Sequence, residues 1–186
     1  MLSVDSEKVV LKRLFDLIKK NALIFGKFTL ASGEESTYYF DIKKAVFDPE
    51  TIDLIATAIL DRLKDEDFDF LGGMEVGAIP LIAAVVLKSF KEGRPISGFF
   101  VRKKLKDHGT RKRVEGWVEK GSKVILLEDV TTSGTSIMEA IGTVEEMGCT
   151  VKKVITIIDR EKGAEERLKS LGIEFYALFK KSDFGV

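Results

Sequence analysis

The stretch that most restricts how this chain can fold is Val124-Ile125-Leu126-Leu127-Glu128-Asp129-Val130-Thr131-Thr132-Ser133-Gly134-Thr135-Ser136. Its apolar run suits a strand buried on both faces, whereas the two adjacent carboxylates and the hydroxyl-rich loop that follow do not belong in a packed core. Behind the loop Ile137, Ala140, Ile141, Val144 and Met147 recur at helical spacing, so it joins the carboxyl end of a strand to the amino end of a helix. Open α/β sheets bind ligands at such junctions. The free N–H groups of a helix start, surrounded by the hydroxyls of Thr131, Thr132, Ser133, Thr135 and Ser136, suit a phosphate. Glu128 and Asp129 would repel a bare phosphate and instead suit sugar hydroxyls, a metal ion, or both. A phosphorylated sugar satisfies both halves. The simpler reading, a solvated turn with a Ser/Thr cap, requires all of these parts to coincide by chance.

The rest of the chain is compatible with such a sheet. Its 186 residues allow one domain with a small appendage. Ser6 to Lys20 reads as an amphipathic helix, and Ile24 to Ile42 as a hairpin that forms a hood with it over residues 1–45. Asp48-Pro49 opens the next helix in the favoured cap order, with Ile52, Ile55, Ile59 and Leu63 as its apolar stripe. Strands are predicted over Phe68–Leu71, Ile96–Val101, Lys123–Leu127, Val154–Ile158 and Glu174–Phe179, with helices closed by Gly148 and Gly172. This alternation implies an α/β fold with a mostly parallel central sheet flanked by helices. Gly72-Gly73-Met74-Glu75-Val76-Gly77-Ala78 is either a second anion loop or a tight turn, and it matches neither dinucleotide nor P-loop spacing.

Lysines and arginines number 30 and acids 30, so nothing in the overall balance points to nucleic acid or a membrane surface. The lone Cys149 cannot form an internal disulfide, and no run is long and apolar enough to span a bilayer. A soluble cytoplasmic protein is the expectation. The basic charge is concentrated locally: Arg102 to Arg113 holds seven basic residues and one acid. Residues 102–116 are expected to form a mobile loop, read as a solvated charged loop, a nucleic-acid patch, or a lid closing on a polyanion. The absence of aromatic residues in the run weakens the nucleic-acid reading.

The central stretch resembles the phosphoribosyl-diphosphate motif of the type I phosphoribosyltransferases. Three further segments extend the resemblance to the orotate branch of that family over nearly the whole chain. They are Phe25-Gly26-Lys27-Phe28-Thr29-Leu30-Ala31-Ser32-Gly33 with Tyr38-Tyr39-Phe40, then Arg102-Lys103 through Lys106-Asp107-His108-Gly109, and Asp159-Arg160. The resemblance implies transfer of phosphoribosyl from 5-phosphoribosyl 1-diphosphate to orotate, giving orotidine 5'-monophosphate and diphosphate in de novo pyrimidine (UMP) biosynthesis. It also implies Mg2+ held mainly through the substrate, with no direct protein ligand assigned, and a homodimer sharing the loop across subunits.

Carried onto this sequence, the donor site would comprise Arg102, Lys103, Lys106, His108, Glu128, Asp129, Val130, Thr131, Thr132, Ser133, Gly134, Thr135 and Ser136. Lys106, Asp129 and Glu128 would be catalytic. Thr132, Arg160, Tyr39 and Phe40 would bind orotate. The alternatives are a phosphoribosyltransferase for a purine base and a donor-sensing regulator that binds nucleic acid. Two departures stand out. Ala31 replaces a lysine common in the family's hood, and Val76-Gly77 replaces a Tyr-Lys pair found in some members. The cation for the diphosphate must then come from elsewhere, with Lys27, Lys43 and Lys44 as candidates and the assignment open. The acidic pair is also Glu-Asp rather than Asp-Asp.

Overall fold

The computed structural model describes residues 4–29, 33, 35–104 and 112–186. Helix α1 (Val4–Asn21) leads into the antiparallel hairpin β1 (Leu23–Thr29) and β2 (Glu35–Phe40), followed by the short helix α2 (Ile42–Val46) and α3 (Pro49–Leu63). The α/β unit continues through β3 (Phe70–Gly73), α4 (Ala78–Lys91), β4 (Ser97–Val101), β5 (Val114–Gly116) and β6 (Lys123–Thr131). It ends with α5 (Thr135–Glu146), β7 (Thr150–Asp159), α6 (Ala164–Ser170), β8 (Glu174–Lys180) and a 3-10 turn at Lys181–Phe184. Six strands form the main sheet in the order β5-β4-β3-β6-β7-β8, all parallel except the edge strand β5.

Strand β6 lies inside the sheet and alternates between two cores. Ile125 and Leu127 join the cluster built by α1, α3 and α4, while Val124 and Leu126 join the one built by α5 and α6. A strand covered on both faces needs an unbroken apolar run. Asp48 caps α3 as expected, accepting the Thr51 N–H at 2.8 Å ahead of Pro49.

Three expectations change. Strand β6 does not stop at Leu127: Glu128, Val130 and Thr131 pair with Thr156, Ile158 and Asp159 of β7, so the acidic pair belongs to the strand itself. The 102–116 loop is shorter than expected, because Val114, Glu115 and Gly116 pair with Val101, Phe100 and Phe99. The hood also divides differently, since Leu14 and Ile18 of α1 are buried with Ile55 and Ile59 of α3, which leaves the hairpin alone as a separate two-stranded sheet. Phe40 anchors the base of the hairpin. Its ring meets Phe184 edge-on at 5.2 Å, and Phe184 stacks on Phe15 at 4.5 Å.

Candidate active site

At the carboxyl end of the main sheet a cleft of about 590 Å³ is lined by Glu128 through Ile137, by Arg160, by Thr29, Tyr39 and Phe40 of the hairpin, and by Ile42 and Lys43 of α2. Because β6 continues through Thr131, its two carboxylates are carried by a paired strand, and both line the cleft. Asp129 lies on the face shared with α2. Its Oδ1 accepts the Val130 N–H at 2.8 Å, and its Oδ2 is 3.6 Å from the Lys43 ammonium. Glu128 is only 7% exposed. Burial, reinforced by the neighbouring Asp129 charge, pushes its carboxyl up to about 8.

The loop after β6 turns through Gly134, whose φ of 79° falls in the left-handed region that glycine adopts without strain. Gly134 caps α5 without a side chain, so the first N–H groups of that helix face the cleft without a side-chain partner. Ser133 and Thr135 hydroxyls lie 3.0 Å apart beside them. Together these groups form an anion cradle.

Arg160 follows β7, with its backbone N–H on the Thr131 carbonyl at 2.8 Å. Its guanidinium sits 5.0 Å above the Tyr38 ring and places Nη2 3.4 Å from the Ser36 hydroxyl. The neighbouring carboxylates are otherwise engaged, Asp159 accepting the Glu161 N–H at 2.9 Å and Glu161 holding Ser182. Burial raises the Asp159 carboxyl above its ordinary range. The polar atoms Glu128 Oε2, Thr131 Oγ1 and Arg160 Nε are buried without a hydrogen-bond partner, and all three residues line the cleft. Buried polar groups are rarely left unpaired, so an acceptor, a hydroxyl and a cation converging on one cavity mark where a ligand supplies the partners.

The family profile described as phosphoribosyl transferase domain matches residues 44–175. The orotate phosphoribosyltransferase of Bradyrhizobium sp. (strain BTAi1) is 43% identical over 176 residues, covering 92% of this chain and 95% of that protein. The chain belongs to the orotate phosphoribosyltransferase family. The orotate phosphoribosyltransferase of Mycobacterium tuberculosis H37Rv, solved with Fe(III) dicitrate, superposes with a TM-score of 0.84 at 32% identity over 95% of this chain and 99% of that one. The same protein in complex with 5-phospho-alpha-D-ribosyl 1-diphosphate gives 0.80 at 29% identity over 95% and 99%.

Of the residues the sequence singled out, Glu128 through Ser136, Arg160, Tyr39 and Phe40 come together at the cleft. Phe40 does so differently from expectation: it is 5% exposed and packs on Phe184, so it supports the cleft wall instead of flanking a ligand ring. Arg102 and Lys103 are not part of the lining. The Arg102 N–H pairs with the Arg113 carbonyl at 2.7 Å, and the Lys103 N–H donates to Glu75 at 2.9 Å. Lys106 and His108 lie outside the described residues, as do Leu30, Ala31 and Ser32 of the hood segment.

The early glycines serve packing inside the protein. A Cβ on Gly72 would strike the Phe99 ring at 2.2 Å, one on Gly73 the Leu127 carbonyl at 2.4 Å, and one on Gly77 the Asp129 carboxylate at 2.5 Å. Sequence reasoning missed Ser36 and Tyr38 as partners of Arg160. The alternation along β2, which puts both on the Phe40 face, was the signal that would have found them.

Proposed function

We propose that this chain transfers the phosphoribosyl group of 5-phosphoribosyl 1-diphosphate to orotate, yielding orotidine 5'-monophosphate and diphosphate, as a cytoplasmic pentosyltransferase of de novo UMP biosynthesis. The observation that carries this reading is the set of unpartnered groups on Glu128, Thr131 and Arg160 around one cleft, because the two substrates complete it. The 5-phosphate takes the α5 cradle from Val130 to Ser136, with its charge met by helix N–H groups and hydroxyls. The ribose hydroxyls donate to Glu128 and Asp129. The buried Arg160 takes the orotate carboxylate, with Thr132 and Tyr39 alongside the ring.

In the reaction the bond between the anomeric carbon and diphosphate breaks, its electron pair leaves with diphosphate, and the orotate ring nitrogen, whose proton passes to the departing diphosphate, supplies the pair for the new bond. Positive charge on the sugar peaks between Glu128 and Asp129, which stabilise it electrostatically without bonding to it. Burial and the Asp129 charge raise the Glu128 carboxyl in the free chain, whereas hydroxyl donors and the developing cation favour its ionised form. Arg102, Lys103, Lys106 and His108 act as the lid, shared across a homodimer, that neutralises the leaving group and excludes water.

Among the described residues no group of three or more His, Cys, Asp or Glu side chains gathers to hold a metal ion. Magnesium would be held mainly through the substrate's own oxygens, with Glu128 and Asp129 as the carboxylates of the cleft beside it. When bound it neutralises charge on the diphosphate.

Base competition tests the reading. With donor and magnesium present, orotate should be consumed while hypoxanthine is turned over at least about 100-fold more slowly, since an uncharged base leaves Arg160 unpaired. Equal use of the two bases would contradict the assignment.

A further inference from the structure

We propose that Lys43 is a ligand to the diphosphate end of the sugar donor, exchanging its ion pair with Asp129 for the incoming polyanion. The proposal rests on the functional reading above and deepens it. Of the three lysines that the sequence left open, Lys43 lines the cleft and Lys27 and Lys44 do not. Helix α2 holds it there. The Asp41 side chain caps that helix by accepting the Lys44 N–H at 3.3 Å, and Ile42, Ala45 and Val46 are buried. Of these three lysines, Lys43 is the one beside Asp129 at the end of β6.

The present partner of Lys43 holds it loosely. A separation of 3.6 Å from Asp129 Oδ2 is longer than a good hydrogen bond, and the lysine side chain is 61% exposed. Such a pair contributes little by itself, so exchanging it for a more highly charged anion costs little.

The direction of the donor follows from the strand. Beyond Thr131 the chain turns through the cradle into α5, which packs on the face of Val124 and Leu126. Asp129 meets Lys43 of α2 and the Gly77 backbone at the start of α4, two helices that pack with Ile125 and Leu127. A ribose whose 5-phosphate occupies the cradle and whose hydroxyls reach both carboxylates extends its anomeric substituent toward the Asp129 side. There Lys43 meets the diphosphate, on the side where the Gly77 backbone comes close enough to Asp129 to exclude a Cβ. As the anomeric bond breaks and its electron pair moves to diphosphate, the ammonium stabilises the charge that develops.

The test compares two ligands on the full chain. Lys43→Met and Lys43→Arg replace an exposed side chain, so both should fold. Equilibrium binding of phosphoribosyl diphosphate and of ribose 5-phosphate is measured for each with magnesium present. Lys43→Met should weaken phosphoribosyl diphosphate by about 10- to 100-fold, as expected for one charge-assisted hydrogen bond, and leave ribose 5-phosphate within about twofold. Lys43→Arg should recover most of the loss. Unchanged affinity for phosphoribosyl diphosphate would overturn the proposal, and so would equal losses for both ligands, which would mean that Lys43 acts only through Asp129. An unaltered chain that binds neither ligand would overturn the functional reading itself.

Discussion

The two ends of the central sheet treat their charges in opposite ways. At the amino end, around a smaller cleft of about 350 Å³, charged groups satisfy one another. Lys153 pairs with Glu66 and, at 2.9 Å, with Glu174; Lys123 pairs with Asp67, and its N–H donates to Asp69 at 2.8 Å; Arg94 donates to the Lys64 carbonyl at 2.7 Å. At the carboxyl end, Glu128, Thr131 and Arg160 are buried with polar atoms unpaired. The amino end has the pattern of a folded surface that is already complete. The carboxyl end gives up stability by burying groups whose partners arrive with substrate, which is how strain and function come to lie together.

The sharpest way to break this comparison is to neutralise one charge at each end. Asp129→Asn should lower turnover on the order of 100-fold or more, as expected when a group stabilising transition-state charge is lost. Lys123→Gln, at the other end of the same strand, should leave turnover within about twofold, since exposed ion pairs contribute little. Steady-state assays of both variants decide it, and similar losses from the two would dissolve the distinction.

Stability supplies the next test. The Glu128 carboxyl is raised from an ordinary 4.5 to about 8, so between those values the folded chain holds a proton that the unfolded chain has lost. Stability conferred by the folded state therefore falls as pH rises through that window. Glu128→Gln keeps a neutral group there at every pH. In denaturant unfolding without ligand it should match the unaltered chain near pH 5 and exceed it by a few kcal/mol near pH 8. An advantage independent of pH would contradict the burial of an ionisable group.

The smallest expected effect concerns orientation. Tyr38→Leu removes the ring beneath the Arg160 guanidinium and should raise the KM for orotate by about 3- to 10-fold, the worth of an exposed to partly buried cation–π contact. kcat and the KM for the sugar donor should change little. A matching rise in both KM values would instead indicate general damage to the hairpin.

How much of this was legible in the sequence depended on the range of the interactions. The cradle could be read because an apolar run, two acids, a glycine and a helical stripe are all local signals. The length of β6 could not, because Glu128 and Asp129 are poor strand residues, and the segment that holds them is kept extended by pairing with β7. Edge strand β5 was hidden beside a basic run, where Val114 is its one apolar residue. The choice of Lys43 over Lys27 and Lys44 depends on where α2 docks against the end of β6, a tertiary fact with no local signature. The early glycines were recognisable as an anion loop or a tight turn, but not as an approach to the Phe99 ring and the Asp129 carboxylate.

The most direct measurement is the loss of orotate absorbance when the chain is mixed with orotate, phosphoribosyl diphosphate and magnesium, with diphosphate release followed in parallel. The expected result is loss that requires all three additions, one diphosphate appearing for each orotate consumed, and abolition in Asp129→Asn but not in Lys123→Gln. Demonstrated donor binding with no consumption of orotate would contradict the claim that the unpaired groups at the carboxyl end of the sheet form a transferase centre for orotate.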